Sequence, residues 1–180
     1  MKKKFNAWVC VAPLLLLSCS QKTNTSDDVL VVKPDTVVNK GPQSMQVSDI
    51  KASFTYKGRE YQSSVVRRPD SSLPLVTNEQ GEKFVDNRIT LRLQTGGRTV
   101  VDRSFTKADF SSLVDERMLN HAILEGLVYY QTTAGGIIYA ASVCYPQSDL
   151  YVPIRLTISA DGKIQMTRDE MIDGAPEGEE

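Results

Sequence analysis

Acid–base chemistry in this chain would fall to its carboxylates and to one histidine, because a single His occurs among its 180 residues. Two carboxylates that face each other across a cleft can share the acid and base roles of a hydrolase. The spacing of the acidic residues selects no such pair, so solvated surface charge is the simpler interpretation. The candidate carboxylates are Glu79, Glu82, Asp86, Asp102, Asp109, Asp115, Glu116 and Glu125.

Glu125 differs from the other carboxylates because it lies in an apolar stretch, AILEGLV from Ala122 to Val128. An inward-facing carboxylate there needs a partner. We predict that Arg88 or Arg92 fills that role, in a structural ion pair rather than a catalytic one. For His121, a structural or surface position is favoured over metal ligation, since a lone histidine matches no metal-ligand spacing.

The sequence contains none of the spacings typical of common metal, nucleotide or nucleophile sites. It has no HExxH, Cys-x-x-Cys or paired-histidine pattern, no GxSxG elbow, no phosphate-binding glycine loop and no dinucleotide fingerprint. Gly96-Gly97 and Gly135-Gly136 are interpreted as hairpin turns. We therefore predict no metal, no cofactor and no catalytic residue, and we expect a protein that is not an enzyme.

Tyrosines in the second half of the chain give the better hint of binding. A tyrosine combines apolar area with a polar tip, which suits protein interfaces and sugar or ligand pockets. Tyrosine is also a good strand residue, and that simpler alternative stays open. The candidates for a ligand site or interface are Tyr129, Tyr139, Tyr145 and Tyr151.

The N-terminus has the pattern of a secretion signal. Lys2, Lys3 and Lys4 precede an apolar run from Phe5 to Leu17. This run of roughly 13 residues is shorter than the roughly 20 that a membrane-spanning helix needs. A basic start followed by a short apolar run is typical of a signal peptide that is removed from the mature protein.

Leu16-Leu17-Ser18-Cys19 resembles the lipobox of bacterial lipoproteins. The resemblance implies cleavage before Cys19, a diacylglycerol on its sulfur and a fatty acid such as palmitate on its amine. Several acyl chains anchor a protein stably, so the lipid bilayer is the expected partner. Ser20 follows in place of the aspartate that retains some lipoproteins in the inner membrane, which favours the outer membrane. Whether the protein faces the periplasm or the surface stays open, as does the alternative of an ordinary signal cut elsewhere.

The remaining chain divides by composition. We predict a signal peptide at 1–18, a flexible tether at 19–45, a β-rich domain at 46–170 and an acidic tail at 171–180. Removal of Lys2, Lys3 and Lys4 changes 21 Lys+Arg against 22 Asp+Glu to 18 against 22, a net charge of −4. This acidic balance argues against a nucleic-acid partner.

Cys144 is expected to be the one thiol of the domain, because Cys10 leaves with the signal and Cys19 is lipidated. An internal disulfide is then excluded. A catalytic thiol needs a nearby base, and His121 is the sole histidine. We predict that Cys144 is a small core residue.

The sequence predicts β-strands separated by tight turns, and these strands would position the candidate side chains described above. Asn87 to Gln94 alternates apolar and polar residues, which is typical of a half-buried strand. Asp161-Gly162 is a strong hairpin signal. The strands Ile123–Gln131 and Ile137–Tyr145 are apolar on both faces, as in strands covered on both sides. One helix is predicted from Lys107 to Glu116, or as far as Leu119, with Thr106 as its N-cap and Asp109 completing the cap.

About eight such strands and one short helix predict a mainly β domain, either an antiparallel sandwich or a small barrel. The lipobox, the polar tether, the Phe105-Thr-Lys helix start, the Tyr145-Pro-Gln-Ser-Asp turn and the final Asp161-Gly-Lys-Ile hairpin resemble small Bacteroidetes envelope lipoproteins of a domain of unknown function. The resemblance implies a β-rich lipoprotein and no catalytic residues.

These features favour a non-catalytic binding module, anchored to the membrane, that takes a protein, glycan or small ligand. The alternatives are a structural accessory subunit of an outer-membrane complex and, third, a carboxylate-based hydrolase. Asp35-Thr36-Val37 also resembles the Asp-Ser/Thr-apolar acceptor of Bacteroidetes O-glycosylation, which makes Thr36 a candidate glycosylation site.

Intact mass of the membrane-extracted protein tests both N-terminal modifications. We expect Thr36→Ala to lower the mass by a whole glycan and Cys19→Ser to remove the acyl mass, whereas Cys144→Ser should change the mass only by the substituted atom. An unchanged glycan mass in Thr36→Ala would exclude Thr36 as the acceptor.

Overall fold

Ten β-strands and two short helical segments make up residues 41–169, the part of the chain that this computed structural model describes. The predicted signal peptide, Cys19, Thr36, most of the predicted tether and the acidic tail lie outside those residues. The strands are β1 (Ser48–Tyr56), β2 (Arg59–Pro69), β3 (Val76–Thr77), β4 (Lys83–Phe84), β5 (Asn87–Thr95), β6 (Arg98–Phe105), β7 (Ile123–Thr133), β8 (Gly136–Cys144), β9 (Tyr151–Ile158) and β10 (Ile164–Arg168). A 3₁₀ turn spans Lys107–Phe110, and helix α1 spans Glu116–His121.

The eight longer strands form two four-stranded antiparallel sheets. Sheet I has the order β1-β2-β5-β6, and sheet II has the order β10-β9-β8-β7. A small hairpin, β3-β4, lies in the connection between β2 and β5. The prediction of a mainly β, antiparallel fold with about eight strands is confirmed, and the two separate ladders favour the sandwich over the barrel.

The core lies between the two sheets and is built by alternation. In β5, Ile89, Leu91 and Leu93 are fully buried, whereas the intervening Arg88 and Arg92 face solvent. Full burial of one such aliphatic side chain stabilises the fold by roughly 1.5–3 kcal/mol. Sheet II contributes the opposing side chains to the same cluster, among them Ile137, Tyr139, Val143, Ile154, Leu156 and Ile158.

Strand β7 departs from the prediction of a strand covered on both sides. It is an edge strand of sheet II, and Val128 on its outer face is 41% exposed. Its ladder shifts register between Leu124 and Gly126 and again between Tyr129 and Gln131. Each bulge inserts one extra residue, so Leu124 and Leu127 both face the core although they are three positions apart. The outer face of β7 is apolar too, but it is covered only at Ile123, and Val128 faces solvent.

The predicted helix is shorter and broken in two. Its start is confirmed, because Asp109 accepts a hydrogen bond from the Thr106 backbone N–H at 2.9 Å. The 3₁₀ turn then ends at Phe110, before the pair Ser111-Ser112. Serine side chains favour turns over helix interiors. Helix α1 begins afresh after Asp115, whose carboxylate accepts from the Arg117 N–H.

The two ends of the sandwich are built differently. Four tight turns lie at one end, which we call the hairpin end: Lys57-Gly58, Gly96-Gly97, Ala134-Gly135 and Asp161-Gly162. Gly162 packs so closely on β6 that a Cβ atom there would lie 2.5 Å from the Val100 carbonyl oxygen, and its φ of +86° also favours glycine. The opposite end, the loop end, holds residues 41–47 and the connections 70–86, 106–122 and 145–150. No helix within 41–169 is long and apolar enough to cross a membrane.

A buried hydrogen bond joins the two sheets. The Tyr139 hydroxyl of sheet II donates to Ser63 Oγ of sheet I at 2.7 Å, and both residues are buried. We expect Tyr139→Phe to lower the free energy of unfolding by about 1–2 kcal/mol, because the Ser63 hydroxyl loses its partner. Urea denaturation measures the loss.

The control for this interaction is a double-mutant cycle with Ser63→Ala, in which the two losses should not add. Burial raises the pKa of Tyr139 to about 12. The folded state therefore holds this proton above pH 10, where the unfolded tyrosine releases it. Stability from this group is complete below pH 10 and falls as the pH rises through 12. Strictly additive losses, or an equal fall in stability of Tyr139→Phe and wild type between pH 10 and 12, would contradict this role.

Candidate functional site

A buried carboxylate, that of Asp86, holds the loop end together. It is 2% exposed and accepts backbone N–H groups from Leu124 at 2.9 Å and from Asn87 at 2.8 Å. Lys107 Nζ lies 3.5 Å from the same carboxylate and donates to the Ala122 carbonyl at 2.8 Å. One side chain therefore connects the residues before β5, the connection after β6 and the start of β7.

Two further side chains extend this polar network. Asn87 Nδ2 donates to the Leu124 carbonyl at 2.9 Å. Arg67 of β2 donates through Nη1 to the Glu125 carbonyl at 2.6 Å and through Nη2 to the Gln46 carbonyl at 3.2 Å. These bonds fasten strand β7 to sheet I and attach the N-terminal segment to the sandwich.

A small apolar cluster lies on the outer face of sheet II, separate from the main core. Ile123, Cys144, Val76 and Phe84 form it, with Met45 packed against them. Burial raises the pKa of the Cys144 thiol to about 12, and the nearby Glu125 carboxylate adds to the effect. The thiol is therefore protonated at neutral pH and is no nucleophile. The predicted burial of Cys144 is confirmed.

The larger of two clefts at the loop end has a volume of about 490 Å³. Arg117 and His121 project from α1 one turn apart and line one side of it. His121 Nδ1 lies 2.8 Å from the Thr77 carbonyl oxygen. Since a carbonyl can only accept, Nδ1 carries the hydrogen and Nε2 remains an acceptor when the ring is neutral. The other lining residues are Asn78, Glu79, Gln80, Glu82, Tyr145, Pro146, Gln147, Ser148 and Leu150.

The smaller cleft, of about 410 Å³, adjoins the larger one across the 145–150 loop. Pro146, Gln147 and Ser148 line both. Gln147 has a φ of +59° and its side chain donates to Gln43 Oε1 at 2.9 Å, which fixes the loop to the N-terminal segment. The rest of the lining consists of Gln43, Ser44, Met45, Phe84, Val85, Ile123, Glu125, Cys144 and Asp149.

The predicted partners of Glu125 are wrong. Arg88 pairs with Asp70 at 2.7 Å, and Arg92 lies 3.4 Å from Asp102. Both arginines lie on the outer face of sheet I. The bulge after Leu124 leaves Glu125 on the outer side of sheet II, where Ser142 Oγ donates to its carboxylate at 3.0 Å.

Of the other carboxylates considered for a hydrolase, Glu79 and Glu82 both line the larger cleft, and the rest are dispersed. Asp102 and Asp109 form ion pairs with Arg92 and Arg103, and Asp115 caps α1. Within residues 41–169, no three His, Cys, Asp or Glu side chains cluster closely enough to hold a metal ion.

The four tyrosines predicted from the sequence lie in three places. Tyr129 and Tyr139 meet edge to face between the sheets, and Tyr129 stacks on Phe54 with ring centroids 4.0 Å apart. Tyr145 lines the larger cleft, and Tyr151 lies on the outer face of sheet II. The structure thus joins one pair of them, and their roles in binding stay predictions.

Sequence reasoning missed the Asp86 network and both clefts. Asp86 and Leu124 are 38 residues apart, and no local pattern connects them. One usable signal was present: long polar connections alternate with tight turns along the chain, so the connections must gather at one end of an antiparallel sandwich.

A comparison with protein families gives one match. The model of a domain of unknown function, DUF4738, matches residues 27–166. The chain belongs to this family. The match runs from 14 residues before the described part to Met166 in β10, so it includes both sheets and the loop end. Among proteins with curated descriptions, none matches the chain. The predicted membership of an uncharacterised family is confirmed, and the lipoprotein features stay predictions.

Removal of the Asp86 carboxylate tests whether it holds the loop end. We expect Asp86→Ala to lower the free energy of unfolding by about 3–5 kcal/mol, because it leaves Lys107 buried without its counter-charge. Asp102→Ala, which removes an exposed ion pair, should cost less than about 1 kcal/mol.

A second variant separates the charge effect from a general loss of packing. Lys107→Met in the Asp86→Ala background should recover part of the loss in urea denaturation, since no unpaired cation remains. Equal stabilities of Asp86→Ala and Asp102→Ala would show that the loop end is held by other contacts.

Proposed function

We propose that this protein is a lipid-anchored envelope protein whose β domain is a non-catalytic binding module, with the loop end as its binding surface. One observation carries the proposal: three long connections and the N-terminal segment meet there around two adjoining clefts of about 490 and 410 Å³. Binding residues in β folds commonly lie on loops that a rigid scaffold positions, and clefts of this size suit small ligands or side chains of a partner.

The loop end is also organised before any ligand arrives. The Asp86 carboxylate and the Arg67 guanidinium bind backbone groups of β7, so the cleft walls are attached to the sandwich. Fixed walls reduce the conformational entropy that binding would otherwise cost. A further cleft of about 700 Å³ lies at the hairpin end, but its lining of Arg59, Glu60, Gln62, Gln94, Thr95, Gly96, Gly97 and Arg98 holds no large apolar side chain. The two clefts at the loop end have apolar walls as well as polar groups, which suits a ligand site better.

The chain that leads from the proposed anchor enters the domain at this same end. Gln43 accepts and donates backbone hydrogen bonds with Val85 and Lys83, both at 2.8 Å. The 22 residues from Cys19 to Lys40 could reach at most about 75 Å if fully extended. The lipobox at Leu16–Cys19 supports the anchor, and this length allows the clefts to meet ligands away from the bilayer.

A second candidate function, a structural accessory subunit of an outer-membrane complex, is favoured by a different observation. Val128, Tyr130 and Tyr151 expose 41%, 61% and 40% of their surface around the outer face of sheet II. Exposed apolar and aromatic side chains of this kind suit docking to a larger protein.

Organic-probe mapping by NMR distinguishes these two functions. The full chain in non-ionic detergent is titrated with phenol and isopropanol, and shifts of backbone amides are followed. We expect saturable shifts at 78–82, 117–121 and 145–150, because a preformed cleft takes small probes before a flat surface does. The matched region is the hairpin end at 134–135 and 161–162, outside the linings of the clefts described above, where shifts should stay small.

Each contrary pattern has a definite meaning. Shifts confined to Val128, Tyr130 and Tyr151 would support the accessory subunit over the binding module. Shifts at the hairpin end alone, or at no described residue, would contradict the loop end as a binding surface.

A further inference from the structure

The Glu125 carboxylate is half-buried and has only neutral partners among the described residues. Ser142 Oγ donates to it at 3.0 Å, and no Lys, Arg or His nitrogen of residues 41–169 lies within 4.0 Å of it. The Arg67 guanidinium donates to the backbone carbonyl of Glu125 and not to its carboxylate. A partly desolvated carboxylate gains from a cation that reaches it.

The charged side chains that line the smaller cleft are both acidic. Glu125 and Asp149 are the ionisable acids of its lining, and the lining contains no Lys, Arg or His. Its walls are apolar on one side, where Met45, Phe84 and Ile123 lie. An enclosed negative charge between apolar walls attracts cations more strongly than an exposed one does. The complementary ligand is therefore a cation on an apolar body.

The lining of the larger cleft, by contrast, carries charges of both signs. Arg117, Glu79 and Glu82 all line it, so a cation there would be repelled by Arg117 as well as attracted by the two carboxylates. The difference between the two clefts predicts which one a cation selects, although they share Pro146–Ser148.

We propose that the smaller cleft binds a primary ammonium group carried on an aliphatic chain, with Glu125 as its counter-ion. An ammonium can donate to the Glu125 carboxylate, and the methylene groups that carry it can pack on Met45 and Ile123. The proposal rests on the loop end being a binding surface. The same ammonium chemistry is offered by free alkylamines and by lysine side chains.

The test uses n-butylammonium as the probe, with n-butanol and butyrate as probes of equal length. The full chain in non-ionic detergent is titrated with each, and NMR follows the amide shifts of Ile123, Glu125, Cys144 and Asp149 in the smaller cleft and of Glu79 and Arg117 in the larger one. We expect saturable shifts with n-butylammonium and at least tenfold weaker binding of butanol and butyrate, since they lack the positive charge.

Glu125→Gln keeps the size of the side chain and removes the charge. It should weaken n-butylammonium binding at least tenfold and leave butanol binding unchanged. Glu79→Gln removes a charge from the larger cleft and is the matched control, which should bind n-butylammonium as wild type does. Unchanged amide spectra away from the cleft verify that both variants are folded.

Parallel titration with Nα-acetyl-lysinamide separates the two sources of the group. Binding equal to that of n-butylammonium supports a lysine side chain as the ligand, and much weaker binding supports a free alkylamine. Equal binding of butanol and n-butylammonium, or full binding by Glu125→Gln, would overturn the proposal. Saturable n-butylammonium shifts in the larger cleft alone would overturn it too, yet would leave the loop end as the binding surface.

Discussion

The Asp86 carboxylate is the interaction on which the architecture of the loop end depends. A carboxylate that is 2% exposed is costly to bury, and only good geometry offsets that cost. Two backbone N–H groups and Lys107 provide the geometry, and they belong to separate parts of the chain. The connections must therefore reach their native places together. Loss of any one of these groups would leave a buried polar group without its partner, so the three segments depend on one another.

The contrast between the two ends of the sandwich follows from this constraint. The hairpin end needs no buried polar centre, because two-residue turns satisfy their own backbone groups and Gly162 packs directly on Val100. The loop end contains longer irregular segments whose backbone groups need partners. Asp86, Arg67 and Asn87 supply those partners through side chains. The connections that these bonds hold do not fill the loop end completely, and the two clefts lie between them.

The fold could be predicted from the sequence where a short-range pattern decides the structure. The alternation in β5, the Asp161-Gly162 turn and the Thr106 cap are such patterns. The extent of the helix was wrong because two serines interrupt it. The clefts and the Asp86 network could not be predicted, since the residues involved lie far apart in sequence and meet only in the folded chain. The burial of Cys144 was predicted correctly, because a disulfide and a catalytic role could be excluded from the number and types of residues in the sequence alone.

In strand β7, one bulge both protects the edge of sheet II and places the Glu125 carboxylate in the smaller cleft. A regular strand would place Leu124 and Leu127 on opposite faces, yet both are at most 3% exposed. The bulge between Leu124 and Gly126 resolves that conflict and also interrupts the ladder of an edge strand, which discourages pairing with other chains. Glu125 is the extra residue of this bulge, and it has no partner in the ladder. The three-residue spacing of Leu124 and Leu127 was therefore a sequence signal for the bulge, because a strand can bury both leucines on one face only if an extra residue lies between them. That extra residue carries the carboxylate of the smaller cleft.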